Sequence, residues 1–178
     1  MFEKIRKMKN QKGFTLVELI VVLVILAILA ALLVPALTGY IDKANKEKVI
    51  ATTRMVVMAA QTEASEKYGL KADGKLNSGN EFTLDLKNGT TGNAPTSTQE
   101  AVDGIDIKNI AVLAEVVKKT AAANQSSVYK FVNGVSEITV KIDGKGYVTG
   151  ATVTQSGFEC TYTAANAEGD KYKVEDKR

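Results

Sequence analysis

The sequence predicts an α+β protein, a long N-terminal α-helix packed against a small antiparallel β-sheet. Three observations predict it. Residues 19–37 form an apolar run without a single charge. Beyond it, an amphipathic spacing of three and four residues continues as far as Tyr68. Near the C-terminus the period changes to two: in "EITVKI" (137–142), Ile138, Val140 and Ile142 share one face.

The chain begins with a basic leader, residues 1–13, carrying Lys4, Arg6, Lys7, Lys9 and Lys12 against Glu3 alone. The whole chain has 23 basic and 20 acidic side chains, for a net charge of +3. Setting those five bases and one acid aside leaves 18 basic against 19 acidic. The pI near 8.8 therefore describes the leader. A nearly neutral body gives no case for nucleic-acid binding. The chain has no His and a single Cys, Cys160. It cannot form an intrachain disulfide, a Cys/His zinc site or a Ser–His or Cys–His nucleophile pair. It also lacks a Walker-type phosphate loop. An enzyme is the least expected class, and no cofactor or metal is implied.

The apolar segment, residues 14–38, nearly matches a hydrocarbon core of roughly 30 Å when helical. Basic residues just before it place the N-terminus in the cytoplasm. A secretory signal peptide cut near Val34-Pro35-Ala36, or a plain anchor, would share this topology. Against both stand the length of the run, the helix that continues past it, and Glu18 inside it. A carboxylate within the membrane costs a few kcal/mol and is ordinarily paired. No Lys or Arg lies close enough along the helix. An interfacial, snorkelling Glu is one explanation. A partner from another chain is the other: cleavage after Gly13 would expose an α-amino group at Phe14, with a pKa near 8.

The amphipathic half, residues 39–68, places Thr53, Val56, Val57, Ala60, Ala64 and Tyr68 on one stripe. Gly69 is the expected stop. Pro35 should bend or locally melt the helix, because its ring removes a ladder bond and crowds the preceding turn. Gly39 adds a second weak point.

The segment "KGFTLVELIVVLVILAILAALLVPAL" (12–37) resembles the class III signal peptide and N-terminal helix of type IV pilins and their relatives. The features that carry the resemblance are Gly13 before the cut, Phe14 after it, Glu18 and the Pro35 break. It implies the pilin fold, cleavage between Gly13 and Phe14 by prepilin peptidase on the cytoplasmic side, and N-methylation of Phe14. It implies that Glu18 pairs with the N-terminal amine of a neighbouring subunit, so that a carboxylate unsatisfied in one chain is satisfied in the assembly. It also implies its partners: copies of the chain in a helical homopolymer, an assembly platform, minor pilins, and the membrane before assembly. The precursor would be a single-pass protein of the cytoplasmic membrane, and the product an extracellular pilus.

Residues 69–104 are expected to be a connecting loop region. "EFTLDL" (81–86) could be a short strand within it, and "KNGTTGNAPTSTQ" (87–99) reads as loop. Residues 105–178 form the expected head. "DIKNIAVLAEVVKKTAAANQ" (106–125) reads as a second helix. Asp106 would be its N-cap, Ile110, Leu113, Val116 and Val117 its apolar face, and Lys118 and Lys119 near its end. "SVYKFV" (127–132), "EITVKI", "YVTGATV" (147–153) and the run through Phe158, Cys160 and Tyr162 are strands, with turns at "DGKG" (143–146) and "QSG" (155–157). These make an antiparallel sheet of three to five strands with Cys160 facing the core. A last strand near 171–174 would tie down the C-terminus, leaving "EDKR" (175–178) as a solvated tail.

Two acceptor patterns, Asn88-Gly89-Thr90 and Asn124-Gln125-Ser126, read as ordinary loop. "NAEGD" (166–170) offers oxygen ligands for calcium but matches no EF-hand spacing. The function expected is that of a pilus subunit serving adhesion, surface motility or DNA uptake. The alternative is a major pseudopilin of a type II-like secretion system. A secreted ligand-binding domain with a signal peptide is a third class, distinguished by a mature start near Leu37.

Overall fold

The computed structural model describes residues 14–76, 81–88, 95–97, 101–121, 127–165 and 171–178. The basic leader with Gly13, the calcium candidate at 166–170, the Asn124 acceptor pattern and most of the Asn88 pattern lie outside these residues. Two compact units are present, Met1–Lys43 and Ala44–Arg178.

Helix α1 runs from Leu16 to Gly69, ending where Gly69 was expected to end it. It is continuous through Pro35 and Gly39, so the helix does not melt there. A proline deletes only one ladder donor. Three residues on, the Thr38 hydroxyl donates to the Pro35 carbonyl at 2.9 Å.

In the second unit, strands β1 (Phe82–Asn88), β2 (Pro95–Ser97), β5 (Val135–Ile142), β6 (Val148–Gln155), β7 (Phe158–Thr163) and β8 (Tyr172–Asp176) form one antiparallel sheet. Its order is β2-β1-β5-β6-β7-β8. The three-residue β2 takes the sheet beyond the expected three to five strands. β3 (Val117–Ala121) and β4 (Ser127–Phe131) form a separate two-stranded ribbon. The segment 127–132 is thus a strand, as expected, but not one of the main sheet.

Residues 69–104 are not only a connection. β1 sits inside the sheet, with Leu84 opposite Val140 and Leu86 opposite Ile138. Phe82, Leu84 and Leu86 are buried. Their alternation makes a face that only a sheet interior can bury.

The second helix, α2, covers Ile107–Leu113 and stops well short of Gln125. Asp106 caps it as expected, accepting from the Lys108 amide at 2.8 Å. Its end is a Schellman closure: Val116 N–H donates to Ala111 O and Glu115 N–H to Val112 O, both at 3.0 Å. Glu115 takes the left-handed position, φ 56°, that glycine ordinarily fills. Val117, Lys118 and Lys119 follow in β3.

One core lies between the sheet and the helices. α1 contributes Val49, Thr52, Thr53, Val56, Ala59, Ala60, Glu63 and Ala64, and α2 contributes Ile107, Ile110 and Ala111. The sheet contributes Ile138, Val140, Ile142, Val153, Phe158 and Cys160, all fully buried. The Thr52 hydroxyl donates to Gln155 Oε1 at 2.8 Å, and Gln155 Nε2 donates to Asn133 O at 2.9 Å. This buried chain joins α1 to β6 and to the β4–β5 turn.

The C-terminal "EDKR" is not a free tail. Glu175 and Asp176 belong to β8. Lys177 N–H donates to Gly157 O at 2.8 Å, and the Arg178 guanidinium lies 4.6 Å from the Phe158 ring centroid.

The amino-terminal cap as candidate functional site

The site assembles from a short stretch, Phe14 to Glu18. Phe14 and Thr15 precede the helix, and Phe14 is 84% exposed. An exposed, non-helical residue is what a peptidase needs on the far side of its cut. Thr15 opens the helix: its carbonyl accepts from the Leu19 amide at 3.3 Å.

Thr15 and Glu18 form a reciprocal capping box. Glu18 Oε2 accepts from the Thr15 amide at 2.9 Å and from the Thr15 hydroxyl at 2.8 Å. The Glu18 amide in turn donates to Thr15 Oγ1 at 3.2 Å. The expectation that Glu18 is unsatisfied in a lone chain is therefore corrected, because one of its oxygens already has two donors. Sequence reasoning missed Thr15. The signal was present, since "TLVE" (15–18) is the Thr-x-x-Glu pattern of such a box.

The carboxylate also lies in the first turn, where the positive end of the helix dipole favours it. Polar capping thus serves two ends at once. It satisfies amides that lipid cannot, and it holds the acid at the mouth of the apolar segment rather than at its middle.

The segment behind the cap is bare. From Phe14 to Ile41, the large apolar side chains are 49–84% exposed. The helix is long and apolar enough to cross a membrane, judged by length and composition. Among the described residues no group of three or more acidic or Cys side chains is placed to hold a metal ion.

Residues 8–34 match the prokaryotic N-terminal methylation motif. Neither a curated protein nor a solved structure matches the chain. The motif indicates a type IV pilin or pseudopilin that is a substrate of prepilin peptidase, made as a membrane-anchored precursor. With this motif leading into a long apolar N-terminal helix, and an antiparallel sheet completing the α+β fold, the chain fits a type IV pilin.

Proposed function

We propose that this chain is the structural subunit of a type IV pilus, polymerising into an extracellular helical filament, and has no catalytic step of its own. The observation that carries the proposal is the uncovered apolar surface of α1 behind an acid-bearing cap. Apolar surface of that extent needs lipid before assembly and other copies after it. Cleavage between Gly13 and Phe14 frees an amine directly before the capping box. A cation there opposes the dipole of its own helix, so a carboxylate on a neighbouring copy is the better partner. Glu18 then exchanges, or shares, its Thr15 bonds for that amine. Desolvation offsets much of the attraction, so the pair selects register more than it adds stability.

Glu18→Ala tests this. The subunit should still insert and fold while sheared filaments are lost; normal fibre yield would refute the role. Mass spectrometry of the same material should show a mature chain starting at a methylated Phe14. Long fibres outside the cell fit the pilus. Only short periplasmic assemblies, with calcium-dependent stability of the head, would indicate the secretion pseudopilus instead. Adhesion, motility and DNA uptake are separated by the phenotype of a strain without the filament.

A further inference from the structure

In the unit Ala44–Arg178, the described residues include six large apolar side chains at the surface: Met55, Met58, Leu70, Val112, Leu113 and Tyr147. Two places hold most of them. Met55, Met58 and Leu113, with Ala59 and Thr62, line a groove of about 370 Å³ shared by α1 and α2, with Glu115 also in its lining. The other place is the far end of α1. There Leu70 is 76% exposed, and Tyr147 is 62% exposed on the turn after β5.

That turn is rigid. Tyr147 N–H donates to Asp143 Oδ1 at 2.8 Å, and Asp143 N–H donates to Tyr147 O at 2.9 Å. Gln61 Nε2 holds the Gly146 carbonyl at 2.8 Å. The Tyr147 backbone is thus held, and its exposed side chain is an aromatic with a polar tip, the kind that anchors interfaces. The groove is walled by methionines, which adapt to an inserted ring.

The two places cannot meet within one copy. Residues 55, 58, 59 and 62 share one stripe of α1. The turn bearing Tyr147 contacts α1 at Gln61, Ala64 and Tyr68, roughly 130° further round at ~100° per residue. Charge complements shape. Glu115 lies at the groove and Lys145 beside Tyr147; both are exposed, and neither has an ion pair among the described residues. A contact between unlike faces is heterologous, and it propagates as a filament when its rotation does not close into a ring.

We propose that Tyr147 of one copy seats in the Met55–Met58–Leu113 groove of the next, with its Lys145 against the neighbour's Glu115. The inference rests on the filament-subunit reading. The test uses the full chain carrying both Met58→Cys and Tyr147→Cys. The native Cys160 is buried and stays silent. Mild oxidation of sheared filaments should give a ladder of disulfide-linked multimers from the double variant and none from either single one. Filaments without a ladder overturn the contact alone. A disulfide-linked dimer from Met58→Cys by itself shows like faces meeting and overturns it too. Absence of filaments from the unaltered chain sinks the subunit reading and the contact with it. If the cysteine variant does not assemble, charge reversal decides. Glu115→Lys or Lys145→Glu should each lower filament yield about tenfold by placing like charges together. The double reversal should restore it, and a double no better than the singles overturns the proposal.

Discussion

Asp176 shows how a surface carboxylate can be held by local bonding alone. The Arg178 side chain, first, and its backbone amide, second, hold the Asp176 carboxyl down to about 2. The bonds are short: Arg178 Nη2 to Oδ2 is 2.7 Å and Arg178 N to Oδ1 is 3.0 Å. A depressed acid contributes stability that is present above its ordinary pKa and is lost as pH falls towards the folded value. The acid-side loss should thus fall between the ordinary carboxylate range near 4 and about 2. A carboxyl NMR titration should place the Asp176 midpoint near 2, and Arg178→Ala should return it towards the ordinary value. Thr15 and Glu18 teach a related lesson about legibility. The charge of Glu18 was visible in the sequence as an anomaly in an apolar run. Its capping bond was equally readable from "TLVE" but is a backbone effect, invisible to a count of charges.

At the scale of elements, legibility followed periodicity. Val56, Ala60 and Ala64 on α1, and Ile138, Val140 and Ile142 on β5, are buried as their spacing requires. The failures have physical causes. Nothing local in "FTLDL" says that its partner is β5, some fifty residues on, so a strand paired on both sides read only as a short strand within a connection. α2 ends at a left-handed Glu115 instead of a glycine, so its boundary carried no composition signal. Tertiary bonds between elements were out of reach for the same reason, and Thr52–Gln155 is the clearest. Thr52→Val leaves Gln155 Oε1 without its buried donor and should cost about 1–3 kcal/mol, measured by denaturant unfolding of the detergent-solubilised full chain. The β5–β6 turn is a second joint. At Gly146, φ is 79°, and an added Cβ would meet Tyr68 Cβ at 3.1 Å and Ala64 O at 3.4 Å. Gly146→Ala combines left-handed strain with that crowding and should destabilise by more than about 1 kcal/mol in the same assay.

For the molecule as a whole, Cys160 reports on the integrity of the core. It is fully buried on β7, and burial pushes its thiol pKa up, with the Thr53 hydroxyl pulling weakly the other way. A raised thiol favours folding below its ordinary pKa. That contribution is lost as pH rises from there through the folded value, so alkaline solution should weaken the head. Thiol reagents should leave Cys160 untouched until the core opens, and labelling should then track unfolding. Reaction in the native protein would place the thiol elsewhere. The two margins of the sheet carry a last consequence. β2 is three residues long and begins with Pro95, and β8 bears Lys173 and Glu175 joined at 3.1 Å, with Lys177 at 3.1 Å from Glu175. A stubby, proline-led border and a charged one both repel strand addition. At high concentration the margins of the main sheet therefore offer a poor template for backbone zippering between copies.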